Sequence, residues 1–214
     1  MPQEEPPGSA AISAMISAMI SSTADVAGSA SIGAGSRVWD LAQVGEHAVV
    51  GRACTIGRGA CVGPGVRIGD QVKIQNYALV YQPAVIEDGV FVGPAAVLTN
   101  DLNPRSVDAD GRLKSAADWT PVAVHVKEGA SLGARSVCVA PVVIGRWAMV
   151  GAGAVVTADV PDFALVFGVP ARRVGWVSRA GFPLRAEGGG TWHCERTGAR
   201  YTETEEGALR EIAC

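Results

Sequence analysis

Aliphatic residues recur along this chain at a spacing of six. From Val26 the series runs through Ile32, Val38, Val44, Val50, Ile56, Val62, Ile68, Ile74, Val80, Ile86, Val92 and Leu98 without a polar member. Four residues after each of the first twelve stands a small residue or a valine, from Ala30, Ser36 and Ala42 to Val90 and Ala96. The position directly after the aliphatic one is glycine at 33, 45, 51, 57, 63, 69 and 93. A period of six smears around a helix and gives a plain strand no reason for glycine at one phase. Short parallel strands joined by tight bends accommodate both. The branched side chain fills an interior, the small one sits beside it, and glycine permits bend conformations that a Cβ resists. Coils of such strands stack about 4.8 Å apart, so the pattern predicts an all-β, parallel β-helix.

The phase resumes at Val126, Leu132, Cys138, Ile144, Val150 and Val156. Position 126 lies 28 residues after 98, which is not a multiple of six. Residues 99–125 therefore leave the coil as an external loop, and their Asp, Asn, Pro and Gly content suits that role. Long loops on rigid scaffolds are where function concentrates. The chain divides into an N-terminal arm over 1–25, the β-helix over 26–161, a cap over 162–181 and a small extension over 182–214. In the cap, "FALVFGVPARRVGWV" loses the hexad and can cover the coil end. In the extension, "TWHCERTGARYTET" predicts a hairpin around Thr197-Gly198. The arm contains "AISAMISAMI", about half a bilayer span and preceded by Glu4 and Glu5 instead of positive charge. It reads as a weakly ordered arm, with a short packing helix as the alternative.

Composition narrows the classes. A length of 214 residues suits one domain with an appendage. The net charge of -3 gives no electrostatic reason for nucleic acid or an anionic membrane as partner, and neither is expected. The five cysteines are odd in number and hold no C-x-x-C pair, which points to a reduced, cytoplasmic chain. His193 and Cys194 are adjacent and lack a second ligand pair at metal-binding spacing, so no metal site is expected.

A resemblance carries the reading from scaffold to chemistry, because fold alone does not give function. "GSRVWDLAQV" (35–44), "VKIQNYALVY" (72–81), "VFVGPAAVLTNDLNPRS" (90–106), "VKEGASLGARSV" (126–137), "VGAGAVVTADVPDFALVFGVPARRVGWV" (150–177) and "CERTGARY" (194–201) occur in the order found in the nucleotide-sugar N-acetyltransferases. The chain resembles these hexapeptide-repeat enzymes from about residue 26 to 201. The resemblance implies a left-handed β-helix with three hexads per triangular coil. It implies acetyl transfer from acetyl-CoA to the 3-amino group of a UDP- or dTDP-linked sugar, without a metal. It also implies a homotrimer whose site lies between neighbouring β-helices. A zinc-dependent carbonic anhydrase of γ type, another branch of the hexapeptide-repeat proteins, needs three coil histidines, and only His47 and His125 are available.

Thioester aminolysis needs a neutral amine, two substrates held close, a donor for the oxyanion and a route for the lost proton. By resemblance, Asn100 lies beside the reacting amine and Asp101 accepts a hydrogen bond from it. Gln82 stands where the family usually places a carboxylate, and it accepts a hydrogen bond but holds no charge. These three are the catalytic candidates. Asn76 and Tyr81 occupy hexad positions away from the aliphatic phase, facing substrate or serving as turn and packing residues. Arg105 is a partner for a diphosphate or an ordinary exposed loop arginine. The backbone at Gly133, Ala134, Gly151 and Ala152 is expected along the CoA arm, with Arg172 at its phosphates, although Gly133 and Gly151 also fit the repeat's own glycine phase. His47 and His125 are general-base candidates: His47 at an outward fourth position, His125 at the end of the loop. Two alternatives stand beside this reading. One is a transferase for another acceptor, such as a serine-like amino acid or an antibiotic hydroxyl; the other, motivated by Gln82, is a trimeric scaffold without chemistry.

Overall fold

The computed structural model describes residues 17–205 and 207–212. Each hexad becomes a two-residue strand and a four-residue turn, with two side chains in six pointing inward, the branched one from the strand and the small one from the turn, such as Ala60 and Ala78. The first three strands, Met19–Ile20, Asp25–Val26 and Ser31–Ile32, start three separate faces. Up to the loop, strands pair in parallel with the strand 18 residues later, as Met19 with Arg37 and Lys73 with Phe91. Three hexads thus make one coil, and the faces carry nine, seven and six strands. This is a triangular parallel β-helix, consistent with the left-handed solenoid. The aliphatic phase fills its interior: Ile56, Ile74, Val80, Leu98, Leu132 and Ile144 have essentially no exposure. Burial of each such side chain contributes roughly 1.5–3 kcal/mol.

The glycine phase has a different cause from the one expected. None of the glycines at 33, 45, 51, 57, 63, 69 and 93 has a left-handed φ. A Cβ on Gly93 would sit 2.6 Å from the Leu132 carbonyl oxygen and 2.7 Å from the Ala134 nitrogen, on the next coil. Glycine is required there for close stacking. The left-handed bend lies two residues further on, at Leu41 (φ 56), His47 (φ 56), Tyr77 (φ 59) and Trp147 (φ 57), or at glycines such as Gly65 (φ 66). Third-position side chains satisfy the backbone at the corners: Asp70 Oδ1 accepts from Arg52 N–H at 2.7 Å and Asp88 Oδ1 from Asp70 N–H at 2.7 Å.

The coil begins earlier than the sequence pattern predicts. Ile20 takes the aliphatic phase one hexad before Val26, so part of the stretch expected as an arm over 1–25 is already coil. Residues 1–16, with most of "AISAMISAMI", lie outside the described residues. Across the loop the pairing offset rises from 18 to 40, as Val85 pairs with His125, so 22 residues are inserted. They leave after Val97–Leu98 and return at Val124–Val126, at the corner between the second and third faces. Residues 124 and 125, expected in the loop, are therefore strand.

Ala164–Gly168 continues the first face by pairing Leu165 with Met149, then turns back antiparallel as Ala171–Trp176. This hairpin closes the coil stack. The extension is a four-stranded antiparallel sheet of Arg185–Gly188, Thr191–His193, Arg200–Glu203 and Leu209–Ile212, and its central hairpin turns through Thr197-Gly198. Tyr201 fixes it to the solenoid. Its hydroxyl accepts from Arg179 N–H at 3.0 Å and donates to Glu211 at 3.1 Å, and its ring lies 5.2 Å from Phe163.

Candidate functional site

Counting by coils places the candidate residues on two corners. Gln82 and Asn100 are 18 residues apart at the third position of their hexads, so they stack on the second–third corner. Asn100 Nδ2 donates to the Gln82 carbonyl at 2.8 Å, and the Asn100 carbonyl accepts from Val122 N–H at 2.9 Å where the loop returns. The side-chain amide is thereby held with its nitrogen engaged. Among the described residues nothing donates to its Oδ1. Asp101 follows at the root of the loop, half-buried, with Oδ1 accepting from Asn103 N–H at 2.9 Å. Gln82 Oε1 covers Gly63 on the coil below, and Tyr81 is exposed on the same corner. Arg105 lies further out in the loop, its Nη1 donating only to the Pro104 carbonyl at 2.9 Å.

The residues expected along CoA share the first–second corner. Gly133 and Ala134 sit directly below Gly151 and Ala152, since a Cβ on Gly133 would meet the Ala152 nitrogen. The Phe167 ring lies over Gly151, and Phe167 pairs with Arg172 across the terminal hairpin, so Arg172 stands above this corner. Asn76 belongs to the same corner, not to that of Gln82 and Asn100. Its Oδ1 accepts from Arg58 N–H at 2.9 Å, a structural use that leaves its NH2 group outward.

Between the two corners runs the second face, and its outward side chains are unusual. Cys61, Leu79, Val97, Val137 and Val155 stack in successive coils as an unbroken apolar column. The first face mixes Arg37, Thr55, Lys73 and Ser131 with Met19, Phe91 and Met149, and the third mixes Ser31, Arg67 and His125 with Val49, Val85 and Val143, so neither runs apolar through five successive coils. Five coils at about 4.8 Å give a strip roughly 19 Å tall.

The histidines separate. His47 is exposed on the second–third corner, three coils below Asn100, about 14 Å away. His125 is in the same coil as Asn100 but on the third face. Its Nε2 meets Glu87 Oε1 at 2.7 Å, while Glu87 Oε2 accepts from Glu128 N–H at 2.9 Å. Glu87 escapes sequence reasoning because only the 40-residue offset across the loop brings it beside His125. Trp119 and Lys114, which join Arg105 and Asp101 around a recess in the loop, escape it because the insertion has no period.

The repeat, the three-faced coil and the loop at one corner define a triangular parallel β-helix with one inserted loop. Residues 47–80 and 125–158 match the family described as hexapeptide repeat of succinyl-transferase. The chain is 57% identical over 60 residues to the dTDP-3-amino-3,6-dideoxy-alpha-D-galactopyranose 3-N-acetyltransferase of Aneurinibacillus thermoaerophilus, covering 28% of this chain and 31% of that one. It is 40% identical over 88 residues to the serine acetyltransferase of Escherichia coli K12, covering 41% of this chain and 31% of the relative. The chain thus spans under a third of the length of either relative. A point mutant of AntD, an N-acyltransferase from Bacillus cereus solved in complex with dTDP and Coenzyme A, shares the fold. The TM-score is 0.50 at 20% identity, over 77% of this chain and 85% of that one.

Proposed function

We propose that this chain is an acetyl-CoA-dependent N-acetyltransferase acting on the amine of a UDP- or dTDP-linked 3-amino sugar, and that it works as a cytoplasmic homotrimer. The observation that carries the reading is the Asn100 amide, held by Gln82 at the loop root with its Oδ1 free. That oxygen accepts one N–H of the sugar amine and turns the nitrogen lone pair toward the thioester. The amine attacks the acetyl carbonyl, the new C–N bond forms, the C–S bond breaks, and the departing CoA thiolate takes the proton the amine loses. Asp101 is the second acceptor for the amine. Gln82 orients without charge, which suits a sugar amine already partly neutral near pH 7.

The second face supports a trimer. The residues proposed for CoA and those proposed for the amine lie at opposite edges of the same apolar strip. Packing of these strips around a threefold axis buries them and brings the first–second corner of one copy against the second–third corner of the next. The similarity to an enzyme named for transfer to a dTDP-3-amino sugar supports the acceptor class.

Thiol release from acetyl-CoA with a panel of UDP- and dTDP-amino sugars tests the reading; no turnover with any of them sinks it. Asn100→Ala lowers kcat on the order of 100-fold while CoA affinity holds, and an unchanged kcat removes Asn100 from the mechanism. A second reading rests on the similarity to serine acetyltransferases and on the His125–Glu87 pair, because a hydroxyl acceptor needs a base. L-Serine in the same panel decides between them.

A further inference from the structure

Below Cys61 the outward column of the second face turns polar, with Gln43 and then Asp25 beneath it. The apolar strip ends there, so any contact between copies at this height needs another source. Each flanking corner carries one irregular feature at that level. On the first–second corner, the position after the aliphatic residue reads Trp39, Gly57, Gln75, Gly93, Gly133 and Gly151 up the stack. Trp39 is the one aromatic in this column, and it is 42% exposed. Its backbone is fixed by the coil, donating to the Ile56 carbonyl at 2.9 Å and accepting from Ala42 N–H at 3.2 Å. An indole on so rigid a base loses little freedom when another surface covers it.

Toward the second–third corner lies a recess of about 320 Å³, lined among others by Gln43, Gly45, Glu46, Cys61, Gly63 and Pro64. Trp39 is not part of its wall. Two wall positions have no room for a side chain. A Cβ on Gly45 would sit 2.7 Å from the Pro64 nitrogen, and one on Gly63 would sit 2.7 Å from Gln82 Oε1. Coil stacking therefore keeps the recess open. Trp39 and Gly45 belong to one coil, six residues apart. Contacts around an axis parallel to the solenoid join positions of equal height, so indole and recess are level with each other at opposite edges of one face. Charge agrees with shape. Arg58 stands one coil above Asp40, held to it only at 3.8 Å, while Glu46 at the recess pairs with no cation among the described residues.

We propose that Trp39 of one copy inserts into this recess on the next copy, with Arg58 facing Glu46 across the contact. The two surfaces are different, so the contact is directional and closes when it is repeated around the axis. A large aromatic side chain seated in a pocket is where interface energy concentrates. Trp39 thus locks the lower coils at one height, below the level at which the apolar strip acts. The inference rests on the ring of copies in the proposed function and not on its reaction.

Cross-linking of the full chain tests the contact. Trp39→Cys in a Cys214→Ser background leaves Cys61 as the native thiol lining the recess, since Cys54, Cys138 and Cys194 are buried. A short bis-maleimide, occupying the place of the indole, should join position 39 of one copy to Cys61 of the next. Covalent dimers and trimers then appear on a denaturing gel, the mixed peptide appears by mass spectrometry, and adding Cys61→Ala removes that peptide. In sedimentation, Trp39→Ala should raise the concentration at which the oligomer dissociates at least about tenfold, and Trp39→Phe should raise it less. Glu46→Arg, at an exposed position, should weaken the oligomer in the same direction. An oligomer that yields no 39–61 peptide between chains, or that stays as tight as wild type in both Trp39→Ala and Glu46→Arg, overturns the contact. A wild type that sediments as a monomer overturns the contact and the ring together. If amino sugars are acetylated while the contact fails, the proposed reaction stands without it. If the peptide forms and no amine is acetylated, the contact stands and the reaction fails.

Discussion

Mixing two disabled chains tests where the site is assembled. Asn100→Ala removes the amide at the second–third corner. Ala152→Trp, at an exposed position on the first–second corner, obstructs the proposed CoA path without entering the core. Equivalent positions on neighbouring corners are six residues apart along one coil, up to about 20 Å of extended chain. In the proposed arrangement the two corners that flank one pair of reacting atoms, which must approach to about 3.5 Å, belong to different chains. In a closed ring of copies, each site takes one corner from each of two neighbours. When the variants are co-expressed in equal amounts, a site is intact only if its first–second corner comes from an Asn100→Ala chain and its second–third corner from an Ala152→Trp chain. Random assortment meets each condition half the time, so about one quarter of the sites work. Initial rates of thiol release should rise from the background of either variant alone to roughly a quarter of wild type. A mixed preparation that forms hybrid oligomers, shown by two affinity tags, yet stays at background refutes the shared site.

Four further outcomes follow from the coil geometry. Gly93→Ala forces the next coil's backbone away and should destabilise by about 3 kcal/mol or more, whereas Gly65→Ala, with open space around its Cβ but φ 66, should lose about 1 kcal/mol; equal shifts in urea midpoint would contradict the stacking argument. The Arg52 backbone N–H and guanidinium hold the Asp70 carboxyl below its ordinary range. Its stabilising contribution is thus full above about pH 4, the unfolded value, and is lost as pH falls through the lower folded value; thermal unfolding of Asp70→Asn should show a flatter acid limb, and a limb parallel to wild type would remove this carboxylate from acid unfolding. Burial pushes the Cys138 thiol up to about 12, so iodoacetamide at about pH 8 should modify it only after denaturation, as read by mass spectrometry. Leu79→Asp, on the outward column, should leave the coil folded by circular dichroism but shift sedimentation to a smaller species and abolish turnover; an unchanged oligomer would remove the second face as the interface.

The core was legible because a single residue in six decides it. Ile56, Ile74 and Val92 could be assigned inward without knowing any neighbour, and the turn residues between them hardly constrain the choice. The glycines were located by the same pattern but misread, for a physical reason. What Gly93 must avoid is Leu132 and Ala134, which are distant in sequence and arrive through stacking across the loop. The true bend position is glycine at 35, 59, 65, 89, 129 and 153 but Leu41, His47, Tyr77 or Trp147 elsewhere, so its residue type marks the left-handed conformation only in part. Inside the loop the period vanishes, and only the Val107–Leu113 bridge brings Lys114 and Trp119 to Arg105.

The candidate site shows the same division between what repeats and what does not. Counting in steps of 18 puts Gln82 below Asn100, and Gly133 below Gly151 once the hexads are numbered. Nothing in that count says that the two corners should meet. The pointer is a violation of the pattern: outward positions of a solenoid face water, and on the second face, above Asp25 and Gln43, those at Cys61, Leu79, Val97, Val137 and Val155 are apolar in five successive coils. Left in water, such a strip would be an association hazard along the whole upper face. Buried against copies of itself, it would supply the symmetry that the proposed reaction calls for, with the donor brought by one chain to an amine held at Asn100 of the next. On that proposal a lone chain keeps its fold and still transfers no acetyl group.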